Sequence, residues 1–127
     1  MINKITPVLV VDAVEPCAQF WQKLGFIRVA EVPHNDTLGF VILVGNNIEL
    51  MYQSLDSVIA DNANLGARLK TGGSSLFVEV PDLDAAVNAV AAAPIILPDR
   101  TTFYGMREIG VLDPGGNVVM FAQKLNS

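Results

Sequence analysis

The stretch VLDPGGNVVMFAQK, residues 111–124, joins a strongly marked turn to an apolar strand. Asp113, Pro114, Gly115, Gly116 and Asn117 are all turn formers: proline presets φ, glycine accepts positive φ, and Asp and Asn bond nearby backbone. The strand after the turn carries no ionisable group until Lys124, and Met120 stands in its middle. A second version lies upstream as GNNIELMYQ, residues 45–53. Setting Gly45 and Asn46 on Gly116 and Asn117 sets Glu49 on Met120. One copy therefore has a carboxylate where the other has a thioether.

Working outward, each copy closes the same order of elements. Residues 5–11 read as a strand, followed by a helix with Asp12 and Glu15 around its start and Pro16 in its first turn, where a missing N–H is harmless. Val14, Cys17, Trp21 and Leu24 recur at helical spacing, and Gly25 is a stop. Residues 26–32, 37–44 and 47–53 read as three strands. Residues 54–73 form a connection too long for a hairpin, with room for a short helix. Then a strand at 74–80, a helix capped by Asp82 with Leu83, Ala86, Val87 and Val90 on one face and Pro94 as its stop, and strands at 95–103, 106–112 and 117–123 repeat the order. Asp12 and Asp82 stand about 70 residues apart, as do Glu49 and Met120, which points to a duplicated unit. The expected fold is α+β: two βαβββ units, residues 1–53 and 74–127, joined by a linker at 54–73 in a single domain.

Composition bounds the function. Half of the 127 residues are hydrophobic, 17% are charged and the net charge is −5, the profile of a compact soluble domain. Eight scattered Lys and Arg, the nearest to a cluster being Arg68 and Lys70, make nucleic acid and anionic membranes poor partners. No apolar run is long enough to span a bilayer, and the first residues lack a signal-peptide layout, so the expected location is the cytoplasm. The lone Cys17 agrees. Its place on an inward helix face suits core packing, and the lone His34 suits a solvated loop.

The opening TPVLVVDAVEPCAQFWQKLGF, the middle GNNIELMY and the closing MREIGVLDPGGNVVMFAQ resemble the vicinal-oxygen-chelate superfamily, which holds glyoxalase I, extradiol dioxygenases, fosfomycin-resistance thiol transferases and bleomycin-resistance proteins. The resemblance spans essentially the whole chain and implies curved sheets around a cleft, usually completed by a second copy in a homodimer. Metal-dependent members carry one ligand on the first and one on the last strand of each unit. Those positions fall here on Thr6, Glu49, Ser75 and Met120, of which only Glu49 is a plausible ligand. The resemblance thus leans to the metal-free, bleomycin-resistance-like branch, with no cofactor or metal expected. The rival is a metal-dependent enzyme of glyoxalase, dioxygenase or transferase type; turnover is left open.

Strand alternation sorts the remaining side chains. With Glu49 facing the cleft go Asn47, Met51, Gln53, Thr6, Val8, Val10, Ser75, Phe77, Glu79, Val118, Met120, Ala122, Glu108 and Gly110. Ile48, Leu50, Ile109, Val111, Val119 and Phe121 then pack under the helices, and Arg107 points away from Glu108. Glu49, Glu108, Ser75 and Met120, with Tyr104 and Phe40 as aromatic walls, are the candidate ligand-binding residues. With three carboxylates and no cation assigned to the cleft, the expected ligand is small, neutral or cationic, with a planar part.

Overall fold

A computed structural model describes residues 1–125. The order is β1 (Val8–Val11), α1 (Val14–Gln22), β2 (Ile27–His34), β3 (Thr37–Gly45), β4 (Ile48–Ser54), α2 (Leu55–Asp61), α3 (Ala63–Arg68), β5 (Ser75–Glu79), α4 (Leu83–Ala89), β6 (Ile95–Thr101), β7 (Met106–Leu112) and β8 (Val118–Lys124). The strands form two four-stranded sheets, ordered β1-β4-β3-β2 and β5-β8-β7-β6. In each, the first strand runs parallel to the last and the others are antiparallel. The repeat is thus mixed α+β, as the sequence implies. The linker holds two short helices, one more than expected, capped by Ser54 and Asn62 side chains that accept backbone N–H groups of Ser57 and of Asn64 and Leu65.

Hairpin chemistry fixes the registers. Asn35 and Asp36, and likewise Asn46 and Asn47, all take positive φ, so both tight hairpins of the first sheet use two-residue turns built from residues that tolerate the left-handed region. The edge strands β2 and β6 carry Pro33 and Pro98, which offer no N–H for further pairing. Alternation holds along β4: Leu50, Tyr52 and Ser54 are buried, while Glu49, Met51 and Gln53 are half-exposed. Along β8, Val119 and Phe121 are buried with Val118 and Met120 half-exposed, but Ala122 is buried too. Ile48 departs from the expected packing and is 57% exposed, because it stands at the start of its strand beside the groove described below.

The helices lie where the apolar faces require. α1 begins after Ala13, without a side-chain cap, and buries Val14, Cys17, Ala18, Phe20 and Trp21. α4 is capped by Asp82, whose carboxylate accepts the Ala85 N–H, and buries Leu83 and Ala86. It ends at Ala89, so the turn at 90–93, not Pro94, stops it. Each helix is also tied to its sheet by an arginine: Arg28 of β2 reaches Glu15, and Arg107 of β7 reaches Asp84 and Asp99. Arg107 therefore points to the helix side, opposite Glu108.

One apolar cluster draws on both halves. Its polar centre is a hydrogen-bonded chain: Trp21 Nε1–H donates to Tyr52 Oη at 2.8 Å, and Tyr52 O–H donates to Asp113 Oδ2 at 2.6 Å. All three residues are buried. Asp113 Oδ1 accepts the N–H groups of Gly115 and Asn117, and Asn117 Oδ1 accepts the Ser74 N–H. The marked turn is thus a joint. It closes its hairpin, and through Asp113 it grips the first unit. Gly115 sits against that unit so closely that an added Cβ would lie 2.3 Å from Val11 Cγ1. Burial, with the Asp113 charge, keeps the Tyr52 hydroxyl protonated, and burial first, then the same charge, pushes the Cys17 thiol up to about 12. Cys17 is therefore inert packing.

Tyr52→Phe leaves the Trp21 N–H without its acceptor and Asp113 Oδ2 with only the Asn117 side-chain amide as donor. We expect a loss of about 2 kcal/mol of stability, read as a lowered urea midpoint with an unchanged slope. An unchanged midpoint would show that the joint contributes nothing.

Candidate functional site

The half-exposed face of the first sheet is built in rows. Val8 pairs with Met51 and Ser75 with Val118, the same spacing in both units. Continuing each ladder sets Thr6 beside Glu49 and pairs Phe77 with Met120. The residue equivalent to Thr6 is therefore Phe77, 57% exposed, and Ser75 stands one step away beside Val118. The sequence already held this signal, since the alignment that sets Glu49 on Met120 carries Thr6 to Phe77.

Glu49 accepts the Thr6 hydroxyl at 3.0 Å and pairs with Lys4 Nζ at 3.0 Å. The Lys4 and Thr6 hydrogen bonds hold its carboxyl below the usual range. Lys4 precedes the first strand and was not foreseen as a partner. The other two carboxylates assigned to this side are also paired: Glu79 lies 3.6 Å from Lys124, and Glu108 meets Arg100. The expectation of an unneutralised acidic cleft is thereby corrected, because cations reach it from the N-terminal segment, the edge strand and the chain end.

Glu108 is 1% exposed and is not presented to solvent at all. Its Oε1 accepts Arg100 Nε and Nη2 at 3.1 and 3.0 Å, and its Oε2 accepts the Tyr104 hydroxyl. That hydrogen bond raises the Tyr104 pKa. Arg100 reaches the same face as Glu108 through an irregularity: between Leu97, paired with Gly110, and Arg100, paired with Glu108, β6 advances three residues while β7 advances two. Phe40 is half-buried on β3, in the row of Gln53 and Val10.

Between the two units runs a groove of about 700 Å³. Its apolar wall is made by Trp21, Leu24, Phe26, Leu50, Leu76 and Phe121, and Glu49 and Phe77 both border it. One residue of each row, Glu49 and Phe77, thus borders the same cavity, whose size suits a small organic molecule. Of the six candidate residues only Glu49 lines it; Ser75, Met120 and Phe40 lie outside its lining, as do Tyr104 and Glu108, which sit at the β6–β7 end of the second sheet. Trp21 and Phe26 were missed as site residues because helical periodicity reads them simply as core.

Metal chemistry does not fit these positions. Thr6, Glu49, Phe77 and Met120 offer a hydroxyl, an engaged carboxylate, a hydrocarbon and a thioether, whereas Zn, Ni or Fe sites need three or four converging N, O or S donors. Among the described residues no three His, Cys, Asp or Glu side chains are grouped to hold an ion.

The fold is that of a known class. Residues 2–121 match the family model of the Glyoxalase/Bleomycin resistance protein/Dioxygenase superfamily, and the chain belongs to that superfamily. Its structure is similar to that of a lactoylglutathione lyase from Agrobacterium tumefaciens (TM-score 0.75, 16% identity, covering 95% of this chain and 92% of that one). It is similar also to TioX from Micromonospora sp. ML1 (0.72, 19%, 97% and 99%) and to a bleomycin resistance determinant encoded on the transposon Tn5 (0.66, 17%, 97% and 98%). At such identities the likeness is one of fold. Comparison with curated proteins finds no significant sequence match. Among the described residues no helix is long and apolar enough to cross a membrane.

Two outcomes are expected. A carboxyl with a depressed pKa contributes stability above its ordinary pKa and loses it as pH falls through the folded value. Lys4→Ala should therefore move the Glu49 titration upward, toward the ordinary carboxylate range, in carboxyl-carbon NMR; an unmoved titration would remove Lys4 as the partner. Elemental analysis of the dialysed protein should find no near-integer Zn, Ni, Fe or Mn per chain; a stoichiometric metal lost on Glu49→Ala would overturn the donor argument.

Proposed function

We propose that the protein binds a small, planar, uncharged organic molecule in the groove bordered by Glu49 and Phe77, without a metal, and sequesters it. The observation that carries this reading is that Glu49 and Phe77, one from each row, border one mainly apolar cavity where the donors for a metal are missing. Of the neutral or cationic ligands expected, the neutral class is favoured, because Glu49, Glu79 and Glu108 each have an intramolecular cation. Aromatic side chains at the groove, Trp21, Phe26 and Phe77, suit a planar molecule. Binding as a homodimer is supported by apolar side chains left open on both sheets, with Val8 48% and Phe77 57% exposed. A lone buried cysteine is in keeping with the cytoplasm.

Trp21 is the single tryptophan and lines the groove, so its fluorescence reports occupancy. Neutral planar compounds should change it at saturation, with affinity nearly independent of salt. Phe77→Ala should weaken binding by about 1 kcal/mol, roughly five-fold. Compounds that bind without altering Trp21 emission, and with equal affinity for Phe77→Ala, would sink the assignment of the groove. Light scattering at micromolar concentration should give a dimer mass; a monomer would count against the shared assembly.

A further inference from the structure

A second feature lies outside the groove. At the β6–β7 end of the second sheet, the buried Glu108 carboxylate anchors two groups at once, the Arg100 guanidinium and the Tyr104 hydroxyl. A carboxylate 1% exposed would be costly unless so partnered. Yet neither partner is consumed by the contact. Among the described residues Arg100 is committed only through Nε and Nη2, which leaves both Nη1 hydrogens and one on Nη2 without an acceptor there, and its side chain is 52% exposed. The Tyr104 ring is 52% exposed and meets Phe103, fully exposed, edge to face at 5.1 Å. Glu108 cancels the formal charge of Arg100 but faces the protein interior, so the outward side of the pair presents donors only.

We propose that Arg100, Tyr104 and Phe103 form a subsite for an aromatic molecule bearing a carboxylate or carbonyl oxygen. The ring packs on Tyr104 and Phe103, and the oxygen accepts from the free edge of Arg100. The planar guanidinium suits such an oxygen, since its donors lie in a fixed fork. Glu108 acts as a positioning residue: it fixes the guanidinium plane and, through the hydroxyl, the Tyr104 ring, so little side-chain freedom remains to be lost on binding. The subsite is independent of the groove, whose lining includes none of these residues.

The test is a set of titrations of the ¹⁵N-labelled protein followed by amide NMR, with biphenyl-4-carboxylate, biphenyl-4-carboxamide and (biphenyl-4-yl)methylammonium. The carboxylate and the amide should shift the resonances of residues 100–108 and bind at least about tenfold more tightly than the ammonium, the size expected of one hydrogen bond to a charged donor. The double variant Arg100→Gln/Glu108→Gln, which keeps a neutral hydrogen-bonded pair, should lose that preference. Arg100→Lys, which keeps a cation over Glu108 without the planar fork, covers the case in which the double variant does not fold, and it should lose the preference for the amide. Equal or tighter binding of the ammonium, or a preference that survives in the variants, overturns the subsite. So does a failure of all three compounds to bind. Shifts confined to Trp21, Leu24 and Phe26 also overturn it while leaving the groove reading intact. Resonances of 100–108 that move on simple dilution would assign this surface to a second copy of the chain instead.

Discussion

The hydrogen bond from Tyr52 to Asp113 holds the two halves to each other. It runs from the last strand of the first unit to the first residue of the turn that closes the second. Among the described residues no strand of one sheet pairs with a strand of the other, so the relation between the halves depends on side-chain packing, this bond and the linker, whose Gly72 N–H bonds Val10 C=O and whose Gly73 N–H bonds Gly116 C=O. A buried bond between a phenol and a carboxylate is directional where apolar contact is not, and losing either partner removes one hydrogen bond from the other in a dry interior. The groove lies between the same two units, and Trp21 belongs both to its wall and to the hydrogen-bonded chain. The joint and the cavity are therefore one construction seen from two sides.

This arrangement explains the opening stretch. Residues 113–117 look like more turn chemistry than a hairpin needs, since the equivalent hairpin of the first unit closes on Asn46 and Asn47 alone. The surplus is used between units. Asp113 grips Tyr52, Gly115 makes room for Val11, and Asn117 holds the start of β5 through Ser74. The strand that follows is free of charge at Met120, because its inner residues pack under α4 and the row at its centre faces the hydrocarbon of Phe77.

Local regularities were legible in the sequence. Period-two alternation placed Leu50, Val119 and Phe121 inside and Arg107 opposite Glu108, and the repeat of turn and strand located both units. What alternation could not give was pairing across distance. Lys4 lies in an irregular segment, with no periodicity to show that it reaches Glu49. Arg100 follows an irregularity in β6 that shifts its face relative to Leu97, so counting along the strand misplaces it. Glu108 was assigned the correct face, but its burial depends on Arg100 and Tyr104 folding over it, which no local pattern encodes. Ser75 was misplaced for a simpler reason: the register of the parallel pair, identical in both units, points to Phe77.

The turn at 113–117 also bears on the history of the duplication. Two identical halves would have offered the same surfaces to each other, whereas here one half supplies the clasp and the other the slot. Tyr52 and Val11 face Asp113 and Gly115, which sit only in the second copy. The two halves are therefore not interchangeable at this contact. A chain cut back to one unit and paired with itself would bring together two clasps or two slots, and this contact would be missing.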